Sequence, residues 1–231
     1  MTIKYRQLVV AVYELLKDPF DFPPAVRLCD AVADTWGLRA LYERMLGDVS
    51  DEERARLREL TARPIDLEAL RALPRNTFGH CYAKFFEHRK LSPSAQVDAW
   101  PPIAEAFEKN WILYRFPRVH DMHHLLLGFD IDAHGEMGLQ MFNLRNFREP
   151  FGALAMASLP WTAAIYGDPG RMLREIERGY RLARQTKNLL TAPLEDYFER
   201  DIDEVRAELG IVARAPRRQT AYAPTNLGVQ T

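Results

Sequence analysis

The spacing of four potential metal ligands constrains this chain more than any other feature. His120, Asp121 and His124 form H-D-x-x-H, and Glu136 follows after eleven intervening residues. Each residue of an α-helix turns by about 100°. With His120 at zero, Asp121 falls at about 100° and His124 at about 40°, so the three share one arc. On the same straight helix Glu136 would lie about 160° from His120 and about 18 Å beyond His124. The chain must therefore reverse before Glu136 can join them. Gly128 and the turn-prone Asp130–Gly135 stretch supply the reversal. The motif thus demands two helices that meet at a turn, with an open site between them.

Two imidazoles and two carboxylates suit a divalent transition metal, with zinc first and iron, manganese or cobalt as alternatives. The lack of thiolates beside them argues against a closed structural zinc site. His123 points about 60° from His120 on its other side, and His134 falls in the turn. Each reads as a supporting or surface residue that could replace an assigned ligand. Two other motifs compete. Metal-dependent phosphohydrolases carry an adjacent His-Asp pair, and His80 or His88 with Asp168 could complete such a set. That reading leaves the spacing of His124 and Glu136 unused. A carboxylate-bridged di-iron bundle needs two Glu-x-x-His pairs, which the chain lacks.

The rest of the sequence agrees with a helical frame, because period-2 alternation is almost absent. Leu8, Val9, Val12, Leu15 and Leu16 form one apolar stripe, ended by Asp18-Pro19. Leu28, Val32 and Trp36 continue the pattern after Pro23-Pro24. Leu38, Leu41, Tyr42, Met45 and Leu46 form another stripe, stopped by Gly47. Ser50 with Glu53 predicts a capping box opening a charged surface helix. A helix over 77–90 carries Phe78, Tyr82, Phe85 and Phe86, and Ser92-Pro93 follows as a breaker. Pro101-Pro102 opens a helix through Trp111 and Tyr114, and Pro117 sits in the first turn of the motif helix. A new helix starts near Glu136, and long amphipathic helices span about 169–188 and 193–209. Phe151 to Gly167 carries no charge and is broken by Pro160. It reads as a buried helix and turn, or as an apolar wall facing a lipid ligand or a membrane.

No linker composition interrupts residues 1–211, so the chain is expected to form a single-domain, all-α multi-helix bundle, with a disordered tail over 212–231. Arg214, Arg217 and Arg218 give that tail a weak resemblance to a lipid tether. At 231 residues, 47% hydrophobic, the chain can bury a sizeable core. A net charge of −1 gives no support to nucleic-acid binding. Two cysteines, Cys29 and Cys81, are too few for a disulfide framework. No uninterrupted apolar run reaches the ~18 residues of a membrane span. The N-terminus lacks the pattern of a secretory or transit leader.

At the motif residues the chain resembles the coenzyme Q biosynthesis family marked by HDxxH, eleven residues, then Glu: His120, Asp121, His124 and Glu136 match it fully. Leu73-Pro74, Thr77-Phe78-Gly79 and Tyr82 resemble an upstream family segment. Gly135-Glu136-Met137-Gly138-Leu139-Gln140 resembles the run around the glutamate, and Val205-Arg206 with Leu209-Gly210-Ile211 the C-terminal end. The likeness spans roughly residues 5–211. It departs at His123, where the family usually has an aromatic residue.

The resemblance implies an all-helical metal-binding protein late in ubiquinone assembly. It implies removal of the C1 carboxyl of a polyprenylated 4-hydroxy-3-methoxybenzoate head group and hydroxylation at that carbon. Homodimers, other pathway enzymes as partners and peripheral membrane contact are implied too. The want of a mitochondrial leader points to a bacterial cytoplasm, with contact at the inner membrane. A non-catalytic scaffold that binds lipid and carries a structural metal is the alternative.

Overall fold

In a computed structural model, residues 3–17, 24, 27, 28, 31, 32, 35–89 and 104–212 are described. The expected features at Asp18-Pro19, Cys29, Ser92-Pro93, Pro101-Pro102 and the tail beyond Val212 lie outside them, as does the His88 side chain. The described helices run in the order α1 (Tyr5–Lys17), α2 (Trp36–Leu46), α3 (Asp51–Ala62), α4 (Leu67–Ala72), α5 (Phe78–Arg89), α6 (Ala104–Leu127), α7 (Ala133–Phe147), α8 (Pro150–Ala157), α9 (Leu159–Tyr166), α10 (Pro169–Ala183) and α11 (Ile202–Glu208), with a 3₁₀ turn at Leu194–Tyr197. The described residues contain no β-sheet. Thr77 and Asp201 make one isolated antiparallel bridge. The all-α bundle is as expected, and no described helix is long and apolar enough to cross a membrane.

Local chemistry explains most boundaries. Ser50 Oγ accepts the Glu53 N–H while the Glu53 carboxylate accepts the Ser50 N–H, the expected capping box of α3. Gly47 follows α2 in the left-handed region, φ 67°, where a glycine ends a helix at little cost. The core gathers Tyr42, Met45 and Leu46 of α2, the α5 aromatics Phe78, Tyr82, Phe85 and Phe86, and Val119, Met122 and Leu126 of α6. Burying each large side chain contributes roughly 1.5–3 kcal/mol.

Four expectations change. In α1, Ala11 and Leu15 are buried, whereas Val9 and Val12 are exposed. That helix is apolar on most sides, so periodicity alone could not choose its inner face. Pro117 does not open a helix, because α6 runs through it. An interior proline costs about 3 kcal/mol, but the turns on both sides are anchored by the buried Arg115 and Val119. The expected helix over 193–209 is split in two. The carbonyls of Phe198 and Arg200 instead accept the N–H groups of Gly79 and Phe78, both at 2.8 Å. These are orphan donors of the first turn of α5. Asp201 then caps α11 by accepting the N–H groups of Asp203 and Glu204. The run 151–167 is a pair of short helices, α8 and α9. It leaves Leu154, Trp161, Ile165 and Tyr166 exposed rather than buried.

The pair α6–α7 positions the site, and α10 backs it. Gly138 of α7 and Gly179 of α10 touch through their backbones: a Cβ on Gly179 would lie 2.0 Å from the Gly138 oxygen. The C-terminal carbonyls of α6 are closed by two arginines. Arg206 donates to the oxygens of Leu125 and Leu126, and Arg178 to those of Leu127 and Gly128. Gly128 leaves α6 at φ 70°. Asp132 then accepts the Gly135 N–H and starts α7.

Candidate metal centre

The turn between α6 and α7 does what the spacing requires. His120 and His124 stand one helical turn apart on α6, and Glu136 returns in the first turn of α7. Ligand atoms of these three residues lie within 4.8 Å of one another. His124 Nε2 is 2.9 Å from Glu136 Oε1, and His120 Nε2 is 3.6 Å from Glu136 Oε2. Two ligands about 2.0–2.1 Å from a tetrahedral ion would be roughly 3.3 Å apart, and the observed pair straddles that spacing. His124 Nδ1 lies 3.2 Å from the Phe129 carbonyl. A proton donated there leaves Nε2 free to bind an ion. Nε2 itself is buried and makes no well-angled hydrogen bond. The donor set therefore fits a divalent metal.

Asp121 does not share this convergence. Its Oδ1 lies 3.5 Å from His120 Nδ1, on the far side of the ring from Glu136. A carboxylate there orients a ligand imidazole. Burial disfavours charge on His120, yet hydrogen bonds to Asp121 and Glu136 push its pKa up to about 10. Burial alone would raise the Glu136 carboxyl. His124 and His120 overcome it and hold that carboxyl well below the usual range.

His123 is fully buried against the Phe147 ring at 6.0 Å, with the Leu189 backbone nearby. Burial and the neighbouring cations keep it neutral, far below the ordinary histidine pKa. His134 is drawn away from the cluster, with Nε2 3.0 Å from the Gly167 carbonyl. Of the competing phosphohydrolase set, His80 Nδ1 faces the Arg71 carbonyl and Asp168 caps α10.

Three polar residues along α7 and at the start of α8 were not picked out by sequence. Asn143 is fully buried, and neither polar atom of its carboxamide has a hydrogen-bond partner. Gln140 Oε1 is likewise buried and unpartnered. Each such group costs about 1–3 kcal/mol. Glu149, also buried, caps α8 by accepting the N–H groups of Phe151 and Gly152. Burial raises its pKa to about 7 against those two bonds and the positive field of His120. Glu149-Pro150 is a legible helix start. Gln140 and Asn143 stand four and seven residues beyond Glu136, the spacing of one helix face.

The family profile described as "Coenzyme Q (ubiquinone) biosynthesis protein Coq4" matches residues 8–215. This chain belongs to that family. Curated proteins named ubiquinone biosynthesis protein COQ4, mitochondrial, agree. The one from Scheffersomyces stipitis is 29% identical over 195 residues, covering 80% of this chain and 58% of the relative. Those from Talaromyces stipitatus and Coccidioides immitis are also 29% identical, covering 83% and 88% of this chain and 66% of each relative. The chain thus spans about three-fifths to two-thirds of these Coq4 relatives. A crystal structure from Nostoc punctiforme, described as a candidate ubiquinone biosynthesis protein, shares the fold at TM-score 0.71 and 22% identity, over 92% of this chain and all of that one.

The Coq4 relatives overturn the expected bacterial cytoplasmic, inner-membrane setting, because they are named as mitochondrial proteins. That setting was expected from a missing leader. A chain that spans only part of its relatives carries no such information at its ends.

Proposed function

We propose that this Coq4-family chain acts in ubiquinone biosynthesis as a metal-dependent oxidative decarboxylase. The substrate is a polyprenylated 4-hydroxy-3-methoxybenzoate head group, with dioxygen as the two-electron oxidant: the ring exchanges its C1 carboxyl, lost as CO2, for a hydroxyl while O2 and water leave as hydrogen peroxide. The convergence of His120, His124 and Glu136 within 4.8 Å carries this reading. These three would hold a divalent ion, zinc first. Asp121, expected as a fourth ligand, would act on the ion by fixing the His120 ring. When bound, such an ion neutralises a carboxylate or phenolate and stabilises charge that develops at C1. Glu149 keeps a proton up to about pH 7 within the field of His120. Other ubiquinone-biosynthesis enzymes and a second copy of the chain are the proposed partners.

The test is metal content and C1 turnover in one preparation. His120→Ala and His124→Ala should each lose the metal and the turnover together. Turnover that survives metal loss would sink the mechanism.

The scaffold alternative draws support from one observation, the exposed apolar side chains of α8 and α9. It requires the same two variants to keep assembling with pathway enzymes, and the wild-type protein to convert nothing on its own.

A further inference from the structure

Buried polar atoms without partners continue the face of α7 that carries Glu136. Glu136, Gln140, Asn143 and Phe147 fall within an arc of about 60° on α7. Contacts to α6 fix both ends of that row. Glu136 meets His120 and His124 at one end. Phe147 meets Phe116, with centroids 6.1 Å apart, and His123 at the other. Phe116 in turn lies 5.7 Å from the His120 ring. The circuit Glu136–His120–Phe116–Phe147 therefore closes around the stretch of α7 that bears Gln140 and Asn143. The Asn143 carboxamide is fully buried on this face, and Gln140 Oε1 one turn before it is buried as well.

The backbone there has no freedom to turn Asn143 away. Its carbonyl accepts the N–H groups of Arg148 and Glu149 where α7 ends. Gly152 of α8 packs against the Gln140 carbonyl from behind, where a Cβ would come within 2.5 Å. A buried amide with nothing to bond disfavours the fold. Such groups persist where a ligand completes them.

We propose that Asn143, with Gln140 one turn before it, recognises the ring oxygens of an aromatic acid whose carboxylate lies at His120, His124 and Glu136. The inference rests on the aromatic-acid reading of the site given above. Gln140 and Asn143 lie about 6 and 10 Å along α7 from Glu136, beyond the ligand end by the reach of one substituted ring. A carboxamide offers two N–H donors and one acceptor oxygen. It thus matches a hydroxyl beside a methoxy group, where one oxygen donates and both accept. A plain benzoate would leave those bonds unmade. Asn143 is a positioning and specificity residue: it binds the ring far from the bond that breaks.

The probes are 4-hydroxy-3-methoxybenzoate and benzoate, titrated into the metal-loaded full chain, with thermal unfolding measured on the same samples. The wild-type protein should prefer the oxygenated acid by about tenfold or more. Asn143→Leu, which keeps the branching and the number of side-chain heavy atoms, should lose most of that preference, still bind benzoate, and melt at the same or a higher temperature. A variant that keeps the full preference overturns the proposal. So does one that melts lower while keeping it, since the amide would then serve the fold through a buried water. Should Asn143→Leu fail to fold, Gln140→Met decides: an undiminished preference overturns the assignment. A wild-type protein that binds neither acid refutes the aromatic-acid reading itself.

Discussion

Glu149 is the residue whose proton most directly couples the site to the fold. Its carboxyl titrates at about 7 when folded, against 4.5 unperturbed. Below pH 4.5 both states hold the proton. Between 4.5 and 7 the unfolded chain releases it while the folded chain keeps it, so this group makes stability fall as pH rises. Above 7 the difference is constant, at about 3 kcal/mol. Urea unfolding of the metal-free protein at pH 5 and pH 8 should therefore show a stability change that differs between wild type and Glu149→Gln by about 2–3 kcal/mol, the wild type losing more on going to pH 8. The ligand types were legible at this scale because imidazole and carboxylate declare metal chemistry wherever they cluster. Asn143 and Gln140 declare nothing by type, and only the absence of partners in three dimensions marks them. The role of Asp121 was hidden for a different reason. Helix arithmetic gives an arc, and the rotamer that turns a carboxylate behind the His120 ring does not follow from it.

Among the elements, the hairpin α6–α7 was the most legible. Its reversal is coded by a glycine at positive φ and an aspartate cap, both local signals. The capping box of α3 was read in full for the same reason. What escaped was set by distant partners: the carbonyls of Phe198 and Arg200 leave their own helix to serve α5, some 120 residues earlier. The passage of α6 through Pro117 likewise depends on anchors outside the helix. The α7–α10 contact gives a prediction of its own. Gly179→Ala puts a methyl on the Gly138 carbonyl and should cost about 3 kcal/mol, or prevent folding. Because α7 carries Glu136, metal affinity should fall with it. Chemical denaturation and metal titration of the variant would check both.

Across the whole molecule, one buried ion pair joins the motif helix to the C-terminal segment. Arg115, fully buried, donates to Glu195 at 2.6 Å and to the carbonyls of Leu190 and Ala192. Arg118 reaches the same carboxylate at 3.2 Å. Removing Glu195 strands the buried Arg115 and takes the carboxylate from Arg118. Glu195→Leu should therefore cost about 3–5 kcal/mol, and Glu195→Leu with Arg115→Met should recover part of it. Urea midpoints of the single and double variants decide this. The pair also separates two ranges of chain. Arg115 and Glu195 lie 80 residues apart, whereas eleven residues separate the second ligand histidine from the ligand glutamate. Closing a loop that short costs little, and contacts this local form early on a folding pathway. The ligand hairpin can thus assemble while the long tie is still open. The three side chains His120, His124 and Glu136 are then brought together before the rest of the bundle closes around them.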